Sequence, residues 1–332
     1  MPNNRNFKTT NGLMSYLRSC GIVINGSHQK RLLINYGYYH GYKGYRFFHD
    51  PKRRIPFADF KHLVDIIEYD NSLKELFYSK LMFIETALKN LSIEYILIDA
   101  GTNEINQIFI RSMPGRRAAP AGANAETKKK LEIKKQKCIH KFRGTLLNDY
   151  SYSNKIVSNF YDKIAYNDVP VWAVFEVITL GQFGNFVSNL NIGLRDRISR
   201  NLRLDLSGDT NRTLLSDMIF VIQDLRNAVA HNDIIFDTRF RKTDIRAPLK
   251  ICMTHEIGLP YANFKSLVDY VSLIAYLMKK LLVSKRKILS FISGFEDEII
   301  SLQSRLPVNL FNMVVHPDTL NKIGTLKTFI RT

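Results

Sequence analysis

The segment Asp224-Leu225-Arg226-Asn227-Ala228-Val229-Ala230-His231 holds an arginine, the asparagine next to it, and a histidine five residues beyond the arginine. Those types suit phosphodiester chemistry. RNA carries its own nucleophile, the 2′-hydroxyl, so a metal is dispensable. His231, titrating near neutrality, can take the proton or give one to the leaving 5′-oxygen. Arg226 can hold the scissile phosphate and the charge that grows on it. Asn227 can orient either the histidine or the phosphate. Taken alone, the spacing is a weak signal; its place on a helix adds more. Leu215, Met218, Ile222, Leu225 and Val229 recur with the helical period, and Thr210 or Asn211 is placed to cap their helix. Asn227 and His231 form an i,i+4 pair about 160° from the centre of that apolar stripe. Arg226 lies nearer its edge. Phe220 shares the polar side with Ser216 and Gln223, so that side is expected to lie under another helix or a second protomer. The competing reading makes His231 a helix-terminal residue that satisfies the last carbonyls and complements the dipole.

The elements that position this segment are expected to be helical. Phe77, Leu81, Ile84, Leu88, Leu91, Tyr95 and Ile98 alternate steps of four and three, marking a helix over about Asn71 to Asp99 that ends at Gly101. Leu267, Tyr270, Ile274, Leu277 and Leu281 form another seam. Pro170 opens the apolar run Val171 to Leu180, read as a largely buried helix. Glu176 on it is a possible partner for the site, with a buried, structurally paired carboxylate as the simpler reading. Such helices packed antiparallel give a mainly α fold. Residues 9–20 and 27–36 read as two short helices around Gly21 to Gly26, a helix-turn-helix-like spacing of low specificity. The division expected is an N-terminal helical and aromatic region over 1–56 and a helical domain over 57–332.

Charge points to the partner. The chain has 332 residues and a formal net charge of +18, which favours a polyanion, nucleic acid before membrane. Residues 111–143 hold 11 Lys or Arg against Glu126 and Glu132. Within them, 113–125 (MPGRRAAPAGANA) reads as a linker, with Arg116 and Arg117 in it. Lys128, Lys129, Lys130, Lys134 and Lys135 follow, with Lys137, Lys141 and Arg143, at a density that favours phosphate contact over a solvated face. In the run Asn35 to Phe48, Tyr38, Tyr39 and Arg46 are candidates for stacking on unpaired bases. The plainer reading wedges these aromatics between the N-terminal helices and the core.

Other classes are excluded or disfavoured. With 45% apolar residues the chain is no disordered polymer. Cys20, Cys138 and Cys252 form no metal-ligand spacing and suit a reducing cytosol. No metal and no cofactor is expected. The N-terminus lacks the apolar stretch of a signal peptide, and Ser266 to Val283, with Asp269, Lys279 and Lys280, reads as an amphipathic helix and not a membrane span. A cytoplasmic location is expected.

Several segments, in order, resemble the abortive-infection family of bacterial phage-defence proteins of the Abi-D and Abi-F type. They are Asn35-Tyr36-Gly37-Tyr38-Tyr39 with Gly41-Tyr42, Phe57-Ala58-Asp59-Phe60 leading to Tyr69-Asp70-Asn71-Ser72-Leu73, and Ile84-Glu85. Then come Pro170 to Glu176 with Gly181, and Leu225 to His231. The likeness spans roughly residues 10 to 240, and the C-terminal third matches poorly. Two positions depart from the pattern: Asn232 and Asp233 stand where the family often has a second histidine and an Arg-aromatic pair. The Arg-Asn-x-x-x-His motif is similar to that of the HEPN superfamily, all-α domains that include metal-independent ribonucleases.

The resemblance implies a HEPN-like helical bundle and an endoribonuclease toxin whose catalytic residues are Arg226, Asn227 and His231. It also implies a structured non-coding RNA as restraint. A single motif supplies one histidine, so a homodimer is expected to bring the second. Two other classes stay open: an RNA-binding protein that does not cut, and a DNA-binding regulator using the N-terminal helix pair.

Overall fold

The computed structural model describes residues 8–161, 169–260 and 262–332. Among them there is no strand, only isolated bridges such as Val23 with Asp59. The fold is mainly α.

Helices α1 (Thr10–Ser19) and α2 (Gly26–Tyr36) occupy the expected positions, with Thr9 capping the first by accepting from the Gly12 amide. The aromatic run continues as a π-helical turn over Gly37–Lys43. The axis of the molecule is α3 (Phe60–Ala100). It starts well before Asn71, because Asp59 accepts from the Lys61 amide at 2.7 Å and caps it. It ends as expected at Gly101, which turns into the left-handed region at φ 62°. The seam is buried from Phe77 to Leu88, but Ile98 is 69% exposed. A strict seven-residue repeat drifts by roughly 20° per heptad around a straight helix, so Ser92, Ile96 and Ala100 take over the inner face.

Past α4 (Ile105–Arg111), the stretch expected as a linker is anchored at its start, where Met113 and Gly115 are buried, and is mostly exposed beyond. A single 3-10 turn over Gly115–Ala118 lies on α5 (Ala125–Ser151). Gly115 is buried at φ 54°, and a Cβ there would collide with the Glu132 carboxylate. The same carboxylate accepts from the Arg116 amide at 3.1 Å. At Gly115 the absence of a side chain lets the turn dock against the helix. On α5 itself, Cys138, Ile139, Phe142 and Leu146 face inward, and Phe142 stacks on Phe186 with centroids 5.5 Å apart.

After α6 (Lys155–Tyr161), the run opened by Pro170 divides into two elements. Helix α7 (Val171–Val177) stops at Ile178, and Thr179 begins α8 (Leu180–Asn189) through a reciprocal capping box with Gln182. Helix α9 (Ile192–Asn201) leads to α10 (Leu214–Ala230), which carries the motif. A short α11 (Ala247–Cys252) precedes α12 (Leu267–Lys280). Every residue of α12 from Leu267 to Met278 is buried, so it is a central core helix and not an amphipathic surface one. No helix among the described residues is long and apolar enough to cross a membrane. The chain closes with α13 (Lys285–Arg305), α14 (Val308–Val314) and α15 (Thr319–Arg331). Phe291 and Phe295 of α13 pack on Phe77 of α3. One hydrophobic cluster runs from Met14 to Ile330, and the N-terminal helices are part of it.

Candidate active site

Helix α10 is capped from a distance. Thr213 at its start makes no side-chain cap; instead the buried Asp209 accepts from the amides of Thr213 at 2.8 Å and Leu214 at 2.9 Å. Neither Thr210 nor Asn211 fills that role. The inner stripe is as expected: Leu215, Met218, Ile222 and Leu225 are buried and Val229 is half-buried.

The polar side of α10 is covered by α8 of the same chain. A Cβ on Gly184 would lie 2.9 Å from Phe220 Cε1, and one on Gly181 would lie 2.8 Å from Gln223 Oε1. Two glycines three residues apart therefore let α8 approach closely. Phe220 is half-buried by this contact and is no argument for a second protomer.

Arg226 points across to α3. Its Nε donates to Glu85 Oε2 at 3.2 Å, and one Nη reaches Asn227 Oδ1 at 3.4 Å. Its side chain is 25% exposed and that of Glu85 only 10%. Glu85 is shared: Lys89, one turn along α3, donates to Glu85 Oε1 at 2.9 Å and to the Ile178 carbonyl at 2.7 Å. A guanidinium has five N–H donors, so two engaged leave three for a ligand. Arg226 thus lines a cavity of 190 Å³ with Glu85, Lys89, Phe175 and Glu176. Glu176 is exposed at this cavity, which corrects the simpler reading of it as a buried, paired carboxylate.

His231 is the C-cap of α10, and its side chain is exposed. It does not satisfy the last carbonyls through its ring. The backbone does so, in a Schellman arrangement: the Asn232 amide donates to Val229 O at 3.3 Å and the Asp233 amide to Ala228 O at 2.8 Å. That arrangement needs a left-handed residue after the cap, and Asn232 supplies it at φ 56°. Asparagine tolerates this conformation better than most side chains.

The turn after His231 is anchored by Asp70. This fully buried carboxylate accepts from the amides of Ile235 at 2.9 Å and Phe236 at 2.7 Å, and from the Tyr45 hydroxyl at 2.7 Å. Lys74 pairs with Asp70 at 2.8 Å and donates to Asn232 Oδ1 at 2.8 Å. Burial, with Asp70 beside it, pushes the Tyr45 hydroxyl far above the usual phenol range, so it remains a donor. Helix α3 therefore holds both ends of the motif, Arg226 through Glu85 and the turn beyond His231 through Asp70.

The candidate RNA-binding residues fall into two groups. Lys128, Lys129 and Lys130 are exposed on the first turns of α5, with Lys130 paired to Glu126 at 2.7 Å. Arg116 is exposed, and Arg117 reaches the Ile110 carbonyl at 3.1 Å. Lys134 and Lys135 are engaged internally, donating to the Ser188 carbonyl at 3.2 Å and the Met113 carbonyl at 2.7 Å. Desolvation lowers the pKa of both. Among the aromatics, Tyr38 packs between Tyr16 and Tyr42, and Arg46 lies over the Tyr42 ring. Tyr42 and Tyr45 are buried, as the wedging reading expects. Tyr39 alone of these tyrosines stands out, at 80% exposed. Among the described residues no three His, Cys, Asp or Glu side chains gather as a metal site.

This constellation lies within a stretch, residues 31–237, that matches the family model described as Abi-like protein. The chain belongs to the Abi-like family. Membership places it among abortive-infection proteins of phage defence. No curated protein and no solved structure matches the chain. The Abi-like match begins within α2 and ends at Asp237, just past the turn that Asp70 anchors, so it holds the whole motif and both of its anchors. Glu85 and Asp70 are the site residues that reading for chemistry passed over. Both stand in segments that carried the family likeness. The available signal was a carboxylate on an otherwise apolar face of a long helix, which burial makes costly unless it is paired.

Proposed function

We propose that this Abi-like protein is a metal-independent endoribonuclease toxin of a phage-defence system, restrained by a structured non-coding RNA. What carries the reading is the state of Arg226. It is fixed by Glu85 and Asn227 with donors left over, at the end of a helix whose cap is an exposed histidine. In the reaction the 2′-oxygen attacks phosphorus and the bond to the 5′-oxygen breaks. One group removes the 2′-hydroxyl proton, another protonates the leaving oxygen, and the products are a 2′,3′-cyclic phosphate and a 5′-hydroxyl. His231 serves one of these proton transfers. Arg226 balances the charge on the phosphorane-like transition state. Asn227 keeps the guanidinium in place. The second proton-transfer group comes from a symmetry-related His231, since a two-fold interface brings like surfaces together.

The experiment is cleavage of end-labelled RNA by the purified protein, with and without EDTA. Cleavage should persist in EDTA. His231→Ala and Arg226→Ala should each reduce it by about 10²- to 10⁴-fold, with the helical circular-dichroism signal intact. Full inhibition by EDTA with rescue by magnesium sinks the mechanism. RNA binding without cleavage by the wild type would establish instead a non-cutting RNA-binding protein.

A further inference from the structure

The C-terminal part of the chain lies outside the family match, yet it closes a cleft with the matched part. Two cavities, of 460 and 880 Å³, share His49, Arg53, Asn263 and Lys265 in their linings. They therefore adjoin along these four residues. Ligand pockets run from about 300 to 1,000 Å³, so either compartment is large enough to hold a small molecule.

The two compartments differ in chemistry. The smaller is cationic: Arg53, Lys242 and Lys265 line it and make no ion pair among the described residues, against one acid, Asp244. Its other arginines are already neutralised, Arg239 by Asp237 and Arg241 by Asp224, each at 2.7 Å. Arg241 keeps a buried Nε proton without a partner among the described residues. The larger compartment adds flat and apolar walls, among them Phe48, Phe236, Met313, Val314 and Pro317, with polar groups such as Asn312 at hand. Arg53 bridges the two, its guanidinium 5.6 Å from the centre of the Phe48 ring.

The walls are held in strained backbone. His49, Thr238 and Phe264, at φ 57°, 57° and 58°, are non-glycine residues in the left-handed region, and all three line the smaller compartment. Such positions cost of order 1 kcal/mol or more each and persist only where the surroundings over-determine them. For His49 and Phe264 two buried carboxylates do so. Asp237 accepts from the His49 amide at 2.6 Å, and Asp269 accepts from the Phe264 amide at 2.9 Å. Lys322 of α15 holds Asp269 in turn, at 2.7 Å. The positive field is felt inside: burial lowers the pKa of His49, Asp237 opposes it, and Arg53, Arg239 and Lys265 reinforce it.

A rigid cleft with unneutralised cations at one end and aromatic and aliphatic walls at the other fits a ligand of matching polarity. We propose that it binds a nucleoside phosphate, the phosphate against Arg53 and Lys265 and the base between Phe48 and Phe236 and the α14–α15 wall. The source is a free nucleotide or the terminal nucleotide of an RNA. The site shares no residue with Arg226, Asn227 and His231, so it stands whether or not the chain cuts RNA.

The test is calorimetric titration of the full-length protein with AMP, ribose 5-phosphate and inorganic phosphate. A short RNA bearing either a 5′-phosphate or a 5′-hydroxyl is titrated in parallel. AMP should bind at least tenfold tighter than ribose 5-phosphate or inorganic phosphate. Arg53→Gln and Lys265→Gln should each weaken it at least tenfold, and the exposed Lys287→Gln on α13 should leave it unchanged. Tight binding of the 5′-phosphorylated RNA together with weak AMP binding assigns the site to an RNA end, provided the same two variants abolish the preference for the phosphate. The proposal fails if neither AMP nor the RNA 5′-phosphate is recognised, or if Arg53→Gln and Lys265→Gln bind like wild type. Equal affinity for AMP and inorganic phosphate removes the base and also overturns it.

Discussion

Arg226 and His231 stand little more than one helical turn apart, yet they are held in opposite ways. The arginine is fixed through its side chain, by a carboxylate that burial and Lys89 have already immobilised. The histidine is fixed through its backbone, by a C-terminal turn whose amides are tied to Asp70, while its ring stands in solvent. The difference suits the roles proposed for the two groups. A guanidinium that stabilises growing charge is most effective when it is oriented beforehand. An imidazole that moves protons needs access to its substrate more than burial. Helix α3 serves both needs from one face, with Asp70 and Glu85 fifteen residues apart, close to four turns.

The comparison is broken most severely at Asp70. Asp70→Ala removes the partner of a buried Lys74, of the Tyr45 hydroxyl and of two amides. It should cost about 3–5 kcal/mol in urea unfolding. If the cost is under 1 kcal/mol, the turn beyond His231 is held by something else.

The arginine end is probed by Glu85→Gln. This variant keeps the shape and a hydrogen-bond acceptor but removes the charge that orients Arg226. RNA cleavage should fall about 10- to 100-fold, as when a positioning group is lost. The KM for a short substrate should rise less than kcat falls, since the guanidinium remains present. Unchanged kcat would mean that Arg226 is oriented without Glu85.

At the histidine end, Asn232→Gly and Asn232→Val form a pair. Glycine should be tolerated within about 0.5 kcal/mol, because φ 56° suits it. Valine should cost about 1–2 kcal/mol from left-handed strain alone. Equal stability of the two variants by thermal unfolding would show that the turn relaxes.

The exposed lysines give a third arm, where charge is dense but not fixed. Changing Lys128, Lys129 and Lys130 to Gln should reduce the log–log salt slope of RNA binding by roughly 0.7 to 0.9 for each phosphate that is no longer neutralised. Lys135→Gln should leave that slope unchanged and lower stability by about 1 kcal/mol, because its ammonium serves the Met113 carbonyl. Equal slope changes from both would mean that Lys135 leaves Met113 to meet RNA.

The smallest effect belongs to the aromatic turn. Tyr39→Ala should change stability by less than about 0.5 kcal/mol, as an exposed side chain would. Tyr38→Ala should cost more, because its ring packs on Tyr16 and Tyr42. If Tyr39 stacks on bases, its loss weakens single-stranded RNA binding without altering the salt slope.

Much of this was legible from residue order alone. Helical period is a local property, so the inner face of α10, that of α3 from Phe77 to Leu88, the two N-terminal helices and the stop at Gly101 could all be read directly. So could the motif, because its three residues lie on one helix. The positions of their partners could not. Glu85 is 141 residues from Arg226, and Asp70 is 165 residues from Ile235. Only packing of α3 against α10 makes a buried carboxylate meet a guanidinium instead of an unpaired penalty. The same holds for Phe220, whose cover turned out to be α8 once two glycines allowed close approach. It holds too for Lys134 and Lys135, identical in type to their neighbours and separated from them only by which carbonyls the fold placed within reach. Periodicity and charge are written along the chain. Which charges are neutralised, which are left over, and where a cleft opens depend on contacts between distant segments, and those exist only after the helices have packed.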